Sequence, residues 1–282
     1  MLKMRHGTGS NSKKIRMRFF KYQGTGNDFI MIDGRDGSFA LSKEAIEHLC
    51  HRRFGIGADG LIVLKNHAEY DFEMLYHNAD GNVGSMCGNG GRCTVRFAHD
   101  LGIFEKETKF LAADGEHTAS VTDTEVSLKM GELTAFERHE DHDFLNTGSP
   151  HYICYVPDNE AVNVFEAGRK IRYAEEWVAR GGTNVNFTQI LAQDAISVRT
   201  YERGVEDETY SCGTGVTAAA ISAHVRFGLH SPIFIKTLGG ELSVSFKNEN
   251  NIFSNIYLIG LAVKVFEGDL PSALVGFGDL CG

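Results

Sequence analysis

Two short stretches of the sequence combine a cysteine with glycines in a pattern that could do chemistry. Residues 84–93 read GSMCGNGGRC, and residues 210–220 read YSCGTGVTAAA. In each, a Cys-Gly-x-Gly segment precedes a run of helical character, so Cys87 and Cys212 are expected to lie at helix N-termini. A thiolate in that position is stabilised by the positive end of the helix macrodipole. The free N–H groups of the first turn can also bind a carboxylate or a phosphate.

The spacing of the cysteines argues against two other chemistries. The interval from Cys87 to Cys93 fits neither a CxxC redox pair nor the paired ligands of a zinc site, so no metal site is predicted. Cys93 is interpreted as a small core residue. A lone Cys87 would also be interpreted as structural, but its repetition at Cys212 among similar glycines favours a functional pair.

The two motifs belong to an internal duplication. Residues 86–102 and 211–228 each read as Cys-Gly-x-Gly, then a helical stretch, then a terminal glycine suited to a helix C-terminus. GTGNDF at 24–29 has a weaker echo in GTNVNF at 182–187. We therefore expect two similar halves whose helix N-termini face each other across a cleft.

Two facing thiols with an anion site between them allow more than one reaction. They could form a disulfide, or they could invert a carbon acid. Inversion needs acid/base groups on opposite faces of one carbon, so that a thiolate removes a proton while a thiol returns one. The N–H groups that bind the carboxylate would also stabilise the developing enolate charge. Such a route needs no imine-forming cofactor, and no cofactor is predicted.

Composition limits the class of protein. Hydrophobic residues make up 42% and charged residues 23% of the 282 residues, which is typical of a globular protein large enough for two domains. The net charge of −9 argues against a general nucleic-acid binder, and no apolar run is long enough to span a bilayer. Six irregularly spaced cysteines do not indicate a disulfide framework, and no signal peptide is visible, so a cytoplasmic location is expected.

Short β-type runs outnumber helical patterns. They occur at residues 17–22, 28–33, 61–64, 72–76, 125–130, 151–156, 186–191, 196–201, 241–246 and 256–266. A helix is predicted over 42–53 with Ser42 as its N-cap, and two more directly after Cys87 and Cys212. The small apolar residues of VTAAAISAHV predict that the last of these is buried on most sides. Many strands with few, irregularly interspersed helices predict an α+β fold with mixed sheets.

The domain organisation follows from these elements. Residues 1–16 carry five Lys or Arg and no acid, and are interpreted as a disordered extension. An N-terminal domain with Cys87 is predicted over 17–132, completed by a last strand at about 262–275. A C-terminal domain with Cys212 is predicted over 133–261.

The ordered set of motifs resembles the diaminopimelate epimerase family. The set comprises GTGNDF, GIGADGL at 55–61, NADG at 78–81, MCGNGGRC at 86–93, YERG at 201–204 and SCGTG at 211–215, and the resemblance covers about residues 17–268. It implies cofactor-independent interconversion of LL- and meso-diaminopimelate in lysine and peptidoglycan precursor biosynthesis. It also implies two pseudo-symmetric domains, each a curved mixed β-sheet or barrel around a central helix. Diaminopimelate is the implied partner, with no nucleic acid or membrane, and the oligomeric state is left open, with a homodimer as one option.

The resemblance also implies roles for individual residues. Cys87 and Cys212 match the two catalytic bases. The matched substrate-binding residues are Asn27, Asn78, Gly88, Asn89, Asn184, Glu202, Arg203, Gly213 and Thr214. An acid and a cation at Glu202 and Arg203 suit the ammonium and carboxylate of a second amino-acid centre. These two side chains could instead form a surface ion pair, and the asparagines in glycine-rich loops could cap turns.

Two positions depart from the family pattern, and two rival functions stay open. Gly60 stands where many members have Gln and cannot supply a side-chain contact. Ser149 stands where many have Asn before Pro-His, and it is shorter and offers a hydroxyl in place of an amide. His151 is interpreted as structural. A proline or hydroxyproline racemase would tend to carry His where this chain has Asn89, and would lack the YERG segment. A thiol-based redox sensor would join Cys87 and Cys212 in a reversible disulfide.

Overall fold

The computed structural model describes residues 17–270. The predicted extension 1–16, the end of the predicted last strand and Cys281 lie outside these residues. The strands are β1 (Arg18–Gly24), β2 (Asn27–Asp33), β3 (Gly60–Lys65), β4 (Phe72–Asn78), β5 (Glu107–Ala112), β6 (Gly115–Val121), β7 (Glu125–Lys129), β8 (Phe136–Arg138), β9 (His142–Asn146), β10 (Pro150–Tyr155), β11 (Asn184–Ala192), β12 (Ala195–Glu202), β13 (Asp207–Thr209), β14 (Ile233–Thr237), β15 (Gly240–Glu249), β16 (Ile252–Leu261) and β17 (Val263–Asp269). The helices are α1 (Lys43–Cys50), α2 (Gly88–Asp100), α3 (Val164–Arg172), α4 (Glu175–Ala179) and α5 (Gly213–Phe227).

The strand pairing repeats itself in the two halves of the chain. From β1 to β7, successive strands pair antiparallel, parallel, antiparallel, parallel, antiparallel and antiparallel. The series β9, β10, β11, β12, β14, β15 and β16 pairs in the same order of directions. The structure therefore confirms the α+β fold and the duplication that the sequence predicts.

The end strands of the two series join the halves. β7 and β16 are equivalent strands, and they pair antiparallel with each other from Glu125 to Lys129. An additional strand flanks the first strand of each series: β17 pairs with β1, and β8 pairs with β9. All strands thus form one continuous hydrogen-bonded network. The domain boundaries predicted from the sequence stay a prediction.

A central helix lies in the equivalent position of each half. α2 lies between the parallel strands β4 and β5, and α5 lies between the parallel strands β12 and β14, after the short strand β13, so each helix forms part of a crossover connection. The first eleven residues of α2, from Gly88 to Ala98, are all buried, as is the run from Gly215 to Ala223 in α5. The small side chains of α5 allow the surrounding strands to approach closely on every side, as the sequence predicts.

Several element boundaries differ from the sequence prediction. The run 256–266 was predicted as one strand, but the chain changes partners at Ala262, where β16 ends and β17 leaves to pair with β1. The helix predicted over 42–53 begins after its Ser42 N-cap but ends at Cys50, because His51 takes an extended conformation. The short helices α3 and α4, and strands β5, β6, β8, β9, β13 and β14, were not predicted. No helix among residues 17–270 has the length and apolar character to cross a bilayer.

Candidate functional site

The two cysteines occupy the same structural position in their halves. Cys87 is the N-cap of α2 with φ −118° and ψ 130°, and Cys212 is the N-cap of α5 with φ −116° and ψ 110°. Neither side chain caps its helix. The thiols are therefore free to face away from the backbone, while each helix start leaves N–H groups without intrahelical partners. The helix starts lie where the sequence predicts them.

The two helix starts meet at their first glycines. A β-carbon added at Gly88 would lie 3.5 Å from Cα of Gly213, and one added at Gly213 would lie 3.3 Å from Cα of Gly88. Each added atom would also lie 2.9 Å from Cδ2 of Leu258. Leu258 is fully buried on β16, so it packs against both glycines at once. Only glycine allows the helix N-termini to approach this closely above that leucine.

Two asparagine side chains, Asn27 and Asn89, connect the Cys87 thiol with its neighbours. Cys87 Sγ donates to Oδ1 of Asn27 over 3.6 Å, and Asn27 Nδ2 donates to Asp59 Oδ2 over 2.6 Å. Asn89 Nδ2 donates to Asn27 Oδ1 at 3.4 Å and to the carbonyl of Ser211 at 3.0 Å. Asn89 therefore ties the start of α2 to the residue that precedes Cys212.

A buried arginine, which sequence reasoning missed, supports this asparagine. Arg92 is fully buried and donates through Nη2 to Asn89 Oδ1 at 3.0 Å and to Thr25 Oγ1 at 3.1 Å. Its Nε and Nη1 have no partner among residues 17–270. Because Oδ1 of Asn89 accepts from Arg92, its amide nitrogen is directed to Asn27 and to the carbonyl of Ser211. The only sequence signal was the position of Arg92 inside the MCGNGGRC motif.

A second polar chain leads away from Cys212. Cys212 Sγ lies 3.5 Å from Oγ1 of Thr214, which lies 2.8 Å from Nε2 of His151. Asn186 Nδ2 donates to His151 Nδ1 over 3.2 Å, so Nε2 carries the ring hydrogen. Burial and the charge of Arg203 lower the pKa of His151 to about 3, which keeps the ring neutral. His151, which the sequence alone indicated was structural, is thus one hydroxyl away from a site thiol.

Burial has the largest effect on the pKa of both thiols, and nearby charges modify it. Burial raises the pKa of Cys87 and of Cys212, and the charge of Glu202 raises both further. Backbone N–H groups of each first turn act to lower these pKa values. The charge of Cys87 also raises the pKa of Cys212, so ionisation of one thiol disfavours ionisation of the other.

The YERG segment lies beside this pair, and its two charged residues have separate partners. Glu202 Oε2 accepts from Thr209 Oγ1 at 2.9 Å, and burial raises the pKa of Glu202. Arg203 donates from its side chain to the carbonyl of Gly181 at 3.0 Å and from its backbone to Asn184 Oδ1 at 2.9 Å. The alternative of an ion pair between Glu202 and Arg203 is not seen.

The two positions that depart from the family pattern have local explanations. Asn184 Nδ2 donates to the hydroxyl of Ser149 over 3.0 Å, so that hydroxyl has a partner within the protein. Gly60 pairs with Asn78 across β3 and β4. Asn78 is exposed at the end of β4. A β-carbon at Gly60 would lie 2.5 Å from Cε2 of Tyr76 and from the carbonyl oxygen of His77.

No metal-binding cluster accompanies the thiols in the described part of the chain. Residues 17–270 contain no group of three or more His, Cys, Asp or Glu side chains suited to a metal ion. All five described cysteines are free thiols. The arrangement can therefore hold an anion between two helix starts and present a thiol on either side of it.

Comparison of the whole sequence with known proteins gives a consistent result. The family model described as diaminopimelate epimerase matches residues 19–136 and 144–265. Diaminopimelate epimerase of Flavobacterium psychrophilum is 49% identical over 254 residues, covering 89% of this chain and 99% of that protein. The Aquifex aeolicus enzyme of the same name is 41% identical over 285 residues, covering 93% and 100%.

Solved structures share the fold at low sequence identity. A phenazine biosynthesis protein of the PhzF family from Bacillus anthracis has a TM-score of 0.72 at 12% identity, covering 91% of this chain and 99% of that one. A hydroxyproline epimerase from Agrobacterium vitis, solved with trans-4-hydroxy-L-proline, has a TM-score of 0.65 at 14% identity, covering 94% and 98%. These likenesses concern the fold alone, whereas the motif order, the family model and the close relatives agree on one family. The chain belongs to the diaminopimelate epimerase family.

Proposed function

We propose that this protein interconverts LL- and meso-diaminopimelate by two-base proton transfer, with Cys87 and Cys212 as the bases. The observation that carries the proposal is the pair of cysteine N-caps on helix starts that meet at Gly88 and Gly213. A carbon held between them would have a thiol on each face. The 49% identity to a diaminopimelate epimerase over nearly its whole length supports the same substrate.

The substrate carboxylate would bind between the two helix starts. The first intrahelical bonds run from Gly91 to Cys87 and from Val216 to Cys212, so the N–H groups of residues 88–90 and 213–215 have no intrahelical partner. Those at Gly88, Asn89, Gly213 and Thr214 are the ones proposed to bind the carboxylate. As the α-proton leaves, negative charge spreads onto the carboxylate oxygens, and the same N–H groups stabilise it. Electrostatic stabilisation of this kind is usually the largest single contribution to the rate of an enzyme.

The thiols need to differ in protonation, and the electrostatics favour this. One thiol must be ionised to remove the proton, and the other must be protonated to return one. Because each thiolate disfavours the other, the pair would hold a single negative charge. In one direction Cys87 takes a proton while Cys212 gives one, and in the reverse direction the roles exchange. The Thr214 hydroxyl, fixed by His151, can donate to a Cys212 thiolate.

The second amino-acid centre would bind beside Glu202 and Arg203. The Glu202 carboxylate suits an ammonium group, and the Arg203 side chain suits a carboxylate. The amides of Asn27, Asn78 and Asn184 can donate or accept and would complete the contacts. Burial of Glu202 strengthens its attraction for a cation, because water screens it less.

Further expectations belong to the proposal. We infer a cytoplasmic location and a reaction that needs no cofactor, and the oligomeric state stays open, with a homodimer as one option. We also infer an N-terminal domain over 17–132 completed by the last strand, and a C-terminal domain over 133–261. Size-exclusion chromatography with light scattering tests the assembly directly.

Proton exchange in deuterated water tests the function. Reduced enzyme is given LL-diaminopimelate, with proline in a parallel reaction, and NMR follows the α-proton and the meso product. We expect deuterium at one α-carbon together with meso product, and no exchange on proline. Exchange on proline alone would favour the racemase alternative.

Cysteine variants separate catalysis from redox chemistry. Cys87→Ser and Cys212→Ser should each lose epimerisation by several orders of magnitude, while Cys93→Ser serves as a matched control in the first core helix. A redox-dependent disulfide between Cys87 and Cys212 without any exchange would favour the sensor alternative. Full epimerisation by either site variant would refute the two-thiol mechanism.

A further inference from the structure

Tyr76 occupies the space beside Gly60, a position that carries no side chain of its own. A β-carbon at Gly60 would lie 2.5 Å from Cε2 and 3.0 Å from the hydroxyl oxygen of Tyr76. A β-carbon at Gly84 would lie 2.7 Å from Cδ1 and Cε1 of the same ring. The ring is thus held between two glycines, with Phe29 edge-to-face at a centroid distance of 6.0 Å.

The carbonyl oxygen of His77 closes position 60 to any larger residue. It lies 2.5 Å from where the β-carbon would be, and a backbone atom cannot turn aside as a flexible side chain can. Any polar side-chain contact to a ligand near position 60 must therefore come from a neighbouring residue. The Tyr76 hydroxyl, at 3.0 Å, is the nearest polar side-chain atom to that position.

The Tyr76 hydroxyl has no hydrogen-bond partner among residues 17–270, although its ring is firmly packed. The ring lies beside the amide of Asn78, because a β-carbon at Gly84 would lie 2.7 Å from the ring and 2.9 Å from Asn78 Oδ1. Burial raises the pKa of Tyr76, and the negative charges of Cys87, Asp59 and Glu202 are among those that raise it further. Asp59 accepts from Asn27, which in turn contacts the Cys87 thiol. Gly60, which the hydroxyl adjoins, directly follows Asp59, so the Tyr76 ring lies near these contacts on the Cys87 side of the site, where acidic groups attract a cation.

We propose that the Tyr76 hydroxyl accepts a hydrogen bond from the ammonium group at the non-reacting centre of the bound diamino diacid. This assignment rests on the proposed function, because it names a contact to that substrate. The hydroxyl and the Glu202 carboxylate would share the ammonium, whose three N–H groups need several acceptors. A phenylalanine ring would make the same packing contacts, so the hydroxyl oxygen is not needed for packing.

The test compares Tyr76→Phe with the wild-type enzyme on two ligands. One is LL-diaminopimelate, and the other is 2-aminopimelate, which lacks the second amino group and is measured as a competitive inhibitor. Tyr70→Phe is the matched control, since Tyr70 lies just before β4, at the end of the β3–β4 hairpin opposite Gly60 and Asn78. Thermal unfolding of each variant reports on any structural role.

The expected result is a rise in KM for diaminopimelate of roughly 10-fold in Tyr76→Phe with little change in kcat, since the contact is the same in the ground and transition states. The inhibition constant of 2-aminopimelate and the unfolding temperature should stay at wild-type values. An unchanged KM, or an equal loss for both ligands, would overturn the contact while leaving the proposed function in place. A wild-type enzyme without activity on diaminopimelate would overturn both.

Discussion

Gly88→Ala is the change that most directly tests whether the close approach of the two helix starts is needed for catalysis. The added methyl group would lie 2.9 Å from Cδ2 of Leu258, where carbon atoms normally stay about 3.5–4.0 Å apart. The distance to Gly213 Cα, 3.5 Å, is acceptable. The strain therefore falls on Leu258, which is fully buried and has little room to move. Either the leucine or the start of α2 must shift by about 0.6–1 Å to reach ordinary contact.

The effect on stability should be small and the effect on rate large. Overpacking a core costs about 1–3 kcal/mol, while alanine gains up to about 1 kcal/mol over glycine in a helix, so the net loss is about 0–2 kcal/mol. A misplacement near 1 Å at a reacting centre can lower the rate about 100-fold. We therefore expect kcat/KM for epimerisation to fall about 10- to 100-fold in a variant that remains folded.

Kinetics and urea denaturation of matched variants measure both effects. Gly213→Ala should behave like Gly88→Ala, because it meets the same leucine atom at the same distance. Gly131→Ala is the control, since nothing lies within 4 Å of its added methyl group. Leu258→Ala should cost about 2–5 kcal/mol by itself, but it should relieve part of the defect of Gly88→Ala. Wild-type activity in Gly88→Ala, or strictly additive losses in the double variant, would refute the reasoning.

Three further predictions concern charge. Partial burial acts to raise the pKa of Asp28, but Arg52 and Lys21 hold it at about 2. Asp28→Asn should therefore lower the free energy of unfolding at pH 7 by on the order of 1–2 kcal/mol. In urea titrations the difference from the wild-type protein should disappear between pH 4 and pH 2, as the carboxylate of the wild-type protein becomes protonated. Burial raises the pKa of Cys93 to about 12, so the thiol of the unfolded chain ionises at a lower pH than that of the folded protein. The free energy of unfolding should therefore fall as the pH rises above about 8.5, and it should fall less steeply in Cys93→Ala. Equal slopes of stability against pH in the two proteins would contradict this. Burial raises the pKa of Cys87, and the charge of Arg92 acts to offset part of that rise. Arg92→Met should therefore move the acidic limb of the kcat/KM profile to higher pH, and Arg92→Lys should move it less. An unmoved limb in Arg92→Met would count against the effect.

The duplication was readable from sequence because it rests on local features. Each copy consists of a cysteine, the glycines that begin a helix directly after it, and a glycine at the far end of that helix. All of these lie within about twenty consecutive residues. The β-type runs were found where strands are apolar on both faces, as in β3, whose first five residues are all buried. Strands such as β5 and β6, with charged or small residues on their exposed face, lacked that signal.

The break between β16 and β17 illustrates what local patterns cannot decide. The residues on both sides of Ala262 favour strands, so the sequence predicts one continuous run. Which partner each part takes depends on strands more than a hundred residues away, β7 for the first part and β1 for the second. The change of partner ends one strand and begins the next.

The sequence by itself therefore determined the fold class, the family and the pair of cysteines at helix starts, because periodicity, glycine positions and motif order are written along the chain. Only the tertiary structure decided what surrounds those cysteines. Leu258 beneath both glycines, Arg92 behind Asn89, His151 behind Thr214 and Tyr76 beside Gly60 are contacts between distant segments. Each depends on how strands and helices pack in three dimensions, which no spacing along the sequence expresses.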